Sequence, residues 1–132
     1  MVFFERTASY HYIAAGSEGH SDWDSYADED LFMCTSDYTN QAALLSPRHQ
    51  YDISVGCCTL DGSGGNRPDC NAHPKTYEEA VAICDNYGYR LCTLQEMLHN
   101  ELTQGEGCDY DGSYNWVSDS CDPFSPAPTT GN

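Results

Sequence analysis

Eight cysteines, Cys34, Cys57, Cys58, Cys70, Cys84, Cys92, Cys108 and Cys121, lie in a chain of 132 residues, and no other feature limits the available folds as strongly. An even number in a short chain reads as a disulfide framework, which belongs to an oxidising, extracellular or cell-surface compartment. Zinc is the competing use of such residues, but it favours paired C-x-x-C knuckles, and none occurs. Cys57 and Cys58 are adjacent and so ill-placed to pair with each other. Four bridges among eight cysteines allow about 105 connectivities, and spacing does not choose among them. The length fits one domain with a modest core, to which each bridge adds about 2–4 kcal/mol.

Charge narrows the partners. Twenty-one acidic residues face five basic ones, Arg6, Arg48, Arg67, Lys75 and Arg90, for a formal charge of −16. Phosphate backbones and anionic membranes require a basic face, so nucleic acid is excluded as a partner, while cations, basic proteins and neutral glycans are compatible. No segment is long and apolar enough to insert into a membrane. The opening MVFFERTASYHYIAAG lacks the basic flank and leucine-rich block of a signal peptide, so the expectation is a mature form or excised unit whose export signal has been removed.

Three regions follow along the chain. Residues 1–15 are expected to form one long strand: Val2 to Ala14 alternates roughly, with Phe4, Arg6, Ala8, Tyr10 and Tyr12 on one side and Phe3, Glu5, Thr7, Ser9, His11 and Ile13 on the other. Such a strand joins its own sheet or is donated to a neighbouring subunit. Residues 16–122 hold the disulfide-rich domain. Residues 123–132 are a Pro/Thr-rich tail, expected to be extended, with Ser125, Thr129 and Thr130 as O-glycosylation candidates. No Asn-x-Ser/Thr sequon occurs in the chain.

Within the domain, Gly16 to Asp30 is polar and acidic. Asp22, Asp24, Asp28 and Asp30 stand at near-alternate positions, as the oxygen donors of a calcium loop do, although the glycine and terminal glutamate of an EF-hand are missing. The bland reading is a solvated loop anchored by Trp23 and Tyr26. Asn40 to Leu45 hints at a helix, and Tyr51 to Val55 alternates as a short strand. Leu60 to Asn71, LDGSGGNRPDCN, is dense in turn formers and is expected to be irregular, pinned by disulfides. It lacks the strand, helix and Lys-Ser/Thr context of a phosphate loop.

KTYEEAVAICDNYGYRLCTLQEM, Lys75 to Met97, is the best-specified stretch. Thr76 with Glu79 forms a capping box, Tyr77, Ala80, Val81, Cys84 and Tyr87 recur at helical spacing with Ile83 at the edge of the stripe, and Gly88 supplies a left-handed stop. Arg90 to Cys92 is an extended link. Thr93 with Glu96 is a second box, and Leu94, Met97, Leu98 and Leu102 predict a second helix ended by Gly105 and Gly107. Glu96 and His99 are spaced as metal ligands, but a single such pair is ordinary helix surface. The other histidines share no ligand spacing, no Gly-x-Ser-x-Gly elbow is present, and oxidised cysteines supply no nucleophile, so no enzyme is expected.

Tyr77 to Cys84, then Arg90 to Glu96, Gly107-Cys108 and NWVSDSC resemble the C-type lectin-like domain. With Cys57-Cys58 and Arg67 to Cys70 added, the ordered set resembles more closely the small cysteine-rich variant of secreted and cell-surface proteins of microalgae and related protists. It spans about residues 55 to 122. The resemblance implies an α+β fold in which two short helices pack on an antiparallel sheet, here with the long N-terminal strand added. Sugar-binding members carry a Glu-Pro-Asn or Gln-Pro-Asp tripeptide, absent here, and a Trp-Asn-Asp strand that Asn115 to Asp119 echoes. Asp109, Asp111, Asn115, Asp119 and Asp122 are the candidate ligands of a structural calcium in that loop; the bland reading is a turn at Asp111-Gly112 with Trp116 in the core. The expected function is a non-catalytic structural or interaction module that self-assembles into an oligomer or filament of a surface glycoprotein. The alternative is a calcium-dependent lectin that binds glycans.

Overall fold

The structure is a computed structural model, and it describes residues 9–17, 27–39, 53–70, 75–105 and 114–123. In chain order the elements are β1 (Tyr10–Ala15), a 3-10 turn (Asp28–Asp30), β2 (Phe32–Ser36), β3 (Cys57–Cys58), β4 (Gly65–Asn66), α1 (Tyr77–Asn86), β5 (Arg90–Leu91), a π-helical turn (Gln95–His99) and β6 (Tyr114–Ser120). The strands form two three-stranded antiparallel sheets, ordered β2-β1-β6 and β4-β3-β5. The molecule is thus a small disulfide-rich α+β arrangement, with two sheets where the sequence suggested one.

β1 is central in its sheet, and Tyr12 through Ala15 are all buried. Consecutive burial means that both faces of the strand are covered, so the expected alternation does not hold over its second half. Residues 10–15 therefore pair in the chain's own sheet, and Tyr12 through Ala15 lie in the same buried cluster as Cys57, Cys58, Cys84 and Cys92. The rest of the expected strand, Val2 to Ala8, lies outside the described residues. So do Asn40 to Leu45, the start of the Tyr51 to Val55 segment and the tail beyond Pro123.

Three disulfides tie the elements together. Cys34–Cys121 joins β2 to the residue after β6, across the central strand; Cys57–Cys84 joins β3 to α1; Cys58–Cys92 joins β3 to the link after β5. Cys70 is also disulfide-bonded. Trp116, Tyr114, Ile13, Ile53, Met97 and Leu98 are the largest buried side chains around these bridges, each contributing about 1.5–3 kcal/mol by leaving water.

α1 forms as its caps predict. Thr76 Oγ accepts from the Glu79 N–H and the Glu79 carboxylate accepts from the Thr76 N–H, while Gly88 takes φ 83° after the last turn. Only Ala80 and Cys84 on the helix are fully buried. Val81 and Tyr87, expected on the apolar stripe, are 40% and 51% exposed: the Cys57–Cys84 bond turns Val81 outward, and Tyr87 is the C-cap, past the last helical residue Asn86.

The second helix is cut short. Its box closes at Thr93 and Glu96, but the winding is π, with the Asn100 N–H donating to the Gln95 carbonyl at 2.8 Å. Glu101 then adopts φ 54°, so Leu102 and Gly105 fall in a turn rather than on a helix. The cause is tertiary. A β-carbon on Gly65 would stand 2.6 Å from the Leu102 carbonyl oxygen, so the chain turns back to lie against β4. That same contact corrects the expectation of irregular chain over Leu60 to Asn71: Gly65–Asn66 is a strand, closed onto β3 by a turn in which Gly62 takes φ 76°.

Candidate functional site

The two sheets meet where β6 leaves register. His11 pairs with Ser120 but Ile13 pairs with Trp116, so β6 carries extra residues opposite Tyr12. Such a bulge re-aims the groups within it. The Ser118 N–H turns to the Cys92 carbonyl at 2.9 Å, and Asp119 Oδ1 accepts from the Leu94 N–H at 2.8 Å, tying β6 to the other sheet and to the π-helical turn.

Beside this seam stands a column of rings. The His11 Nδ1 lies 2.7 Å from Asp37 Oδ1, the imidazole stacks on Tyr77 at a centroid distance of 3.6 Å and 12°, and Tyr77 meets Trp116 edge-on at 5.6 Å. Trp116 Nε1–H donates to the Lys75 carbonyl at 2.8 Å. α1 is seated on the same residues, since the Tyr77 N–H donates to the Asp37 carbonyl. Burial, then the negative charges of Asp37 and Asp119, hold the Tyr77 phenol protonated above its ordinary range.

Outside the column runs an open groove of ≈ 390 Å³ between the outward face of α1 and the β5–β6 seam. Tyr77, Val81, Tyr89 and Leu91 give it an apolar lining, and Glu78 and Asp85 stand on its helix side. Both carboxylates are exposed, and they lie two helical turns, about 10 Å, apart. Arg90 also borders the groove but is held by Glu96, Nη1 to Oε1 at 2.8 Å and Nη2 to Oε2 at 2.9 Å. That fork and the Thr93 N–H hold the Glu96 carboxyl down to about 2.

Glu96 also lies near the Cys58–Cys92 bridge, with one ligand-type atom of each residue within 4.8 Å of the others. Both sulfurs are bonded to each other, so they are not thiolates, and sulfur is in any case a poor donor to calcium. His99 is exposed, while the Glu96 carboxylate faces Arg90.

Of the residues expected to hold calcium, Asp109 and Asp111 lie outside the described residues. Asn115 is fully buried in β6, Asp119 accepts from the Leu94 N–H, and Asp122 is exposed beyond the strand. Asn115 and Asp119, four residues apart on one strand, are separated by roughly 13 Å of backbone before the bulge is allowed for, so the strand does not bring them together. In the first acidic loop, Asp22 and Asp24 lie outside the described residues, and Asp28 and Asp30 belong to a 3-10 turn where the Asp30 carbonyl accepts from the Tyr114 hydroxyl. Ser125, Thr129 and Thr130 are outside the described residues. The sequence gives no signal for the His11–Asp37–Tyr77 cluster: its members are 26 and 40 residues apart, joined by the β1–β2 pairing and by the seating of α1 on Asp37.

The chain matches no family model, no curated protein and no solved structure.

Proposed function

We propose that this chain is a non-catalytic extracellular interaction module, a C-type lectin-like unit serving as a subunit of a cell-surface or filamentous glycoprotein assembly. One observation carries the reading: the Cys57–Cys84 disulfide fixes α1 by its inner face, while its outer face presents apolar side chains to solvent. Val81 is exposed there, with Tyr87 exposed just past the end of α1 and Tyr38 exposed beyond β2. An apolar surface kept outward on a stapled scaffold is a feature of binding surfaces, and tyrosine is among the residues they favour. The oxidised cysteines support an oxidising compartment. The motif behind the resemblance also gathers into one unit, since Cys57, Cys58, Cys84 and Cys92 are joined and Tyr77 meets Trp116.

Light scattering and electron microscopy of the purified chain, with and without calcium, test this reading. Ordered oligomers or filaments in both conditions are expected. A compact monomer in both overturns it.

A further inference from the structure

We infer that the groove over α1 docks an extended basic segment of a partner protein, with lysines or arginines about three residues apart and apolar residues between them. The inference rests on the proposed role as an interaction module and names the kind of partner.

The lining sets the requirement for apolar contact. Tyr77, Val81, Tyr89 and Leu91 border a channel open to solvent, a shape that suits a length of chain laid along it. Its ≈ 390 Å³ is at the small end of the ~300–1,000 Å³ typical of ligand sites.

Charge sets the sign. Glu78 and Asp85 flank the helix side, and no ion pair engages either among the described residues. Asp37, in contact with His11, and Asp119 also raise the proton affinity of Tyr77, so the nearby acidic groups add to the negative sign of the border. The cation at the border, Arg90, is neutralised by its two-bonded contact with Glu96. A second copy of a chain carrying −16 would bring more negative charge to this border, and a basic partner is the complement.

Spacing sets the pattern. Glu78 and Asp85 lie about 10 Å apart along α1, and three residues of extended or polyproline-like chain cover about 9–10 Å. Lysines at every third position would meet both carboxylates while the residues between them lie on Val81 and Leu91.

The probe is the acetylated, amidated peptide Lys-Val-Pro-Lys-Val-Pro-Lys, titrated into the full oxidised chain and followed by amide chemical shifts. The control peptide has the same composition with its three lysines consecutive. Localised shifts at Val81, Ala82, Leu91 and Ser118 are expected, with weaker binding of the control peptide. Glu78→Gln with Asp85→Asn should weaken binding about tenfold, as two exposed ion pairs allow. Glu29→Gln with Asp30→Asn removes equal charge from exposed positions elsewhere and should change binding less than about twofold. Val81→Lys, at an exposed position, should abolish binding without changing the melting temperature. Equal losses in the two charge-matched pairs, equal binding of both peptides, or the same shifts from millimolar calcium without peptide would overturn the proposal. Light scattering on the Glu78/Asp85 variant separates the two readings. Lost peptide binding with unchanged assembly supports the groove, unchanged peptide binding by this variant overturns it, and peptide binding by an unsubstituted chain that never assembles refutes self-assembly alone.

Discussion

Replacing Cys34 and Cys121 together by serine should cost this protein about 4 kcal/mol, and the figure follows from how the bridges overlap. Taken alone, Cys34–Cys121 closes a loop of sequence separation 87, worth about 4.6 kcal/mol of chain entropy at 25 °C. The unfolded chain is already shortened, because Cys58–Cys92 remains in place. The path from Cys34 to Cys121 then runs through about 24 residues to Cys58 and about 29 from Cys92, an effective loop of about 53 that lowers the estimate to ~4 kcal/mol. Both cysteines are partly exposed, so serine leaves no buried unpaired hydroxyl and the measurement isolates the cross-link. For a chain of this length the expected fall in melting temperature is roughly 12–20 °C. Calorimetry on the double variant, with the remaining bridges verified by peptide mass mapping, gives the number. A fall of less than about 5 °C would refute the entropic reasoning and show that β1 holds β2 and β6 together without the bridge.

The other bridges behave differently, since Cys57, Cys58, Cys84 and Cys92 are fully buried: Cys57→Ser with Cys84→Ser should be less stable than Cys57→Ala with Cys84→Ala by about 1–3 kcal/mol, read by urea unfolding. Glu101 sits at φ 54° and accepts from the Ser17 hydroxyl; Ala and Gly variants both lose that bond, but Glu101→Gly should be the more stable of the two by about 1 kcal/mol. Glu96, held to about 2 from 4.5, has a lowered folded-state value, so its contribution is present above pH 4.5 and lost as pH falls through 2. Acid titration of stability should therefore flatten over that window in Glu96→Gln, by up to roughly 3 kcal/mol; an unchanged profile would place the acid sensitivity elsewhere.

What was legible in the sequence was local. The α1 caps at Thr76, Glu79 and Gly88, and the Thr93–Glu96 box, involve residues a few positions apart whose hydrogen bonds form before any packing is specified. The second helix stops early although Leu98 and Leu102 keep helical spacing, and nothing local records that Gly65 lies against the Leu102 carbonyl. The His11–Asp37–Tyr77 column and the groove outside it were illegible for the same reason. The column exists only once β1 is set beside β2 and β6, in a register that the sequence does not encode between neighbours, and the groove only once α1 and β5 lie side by side.

The adjacent pair Cys57–Cys58 shows how a local fact becomes a global one. Eight cysteines left the pairing open, yet a strand places consecutive side chains on opposite faces. Once residues 57 and 58 pair with β4 on one side and β5 on the other, their sulfurs leave β3 in opposite directions. One reaches Cys84 and fixes the roll of α1; the other reaches Cys92 and fixes the link that follows β5. The roll buries Ala80 and Cys84 and turns Val81 outward. The link sets Leu91 and Arg90 beside the outward helix face. The groove thus follows from two neighbouring bridges, so a one-residue shift of register in β3 would exchange their faces and close it.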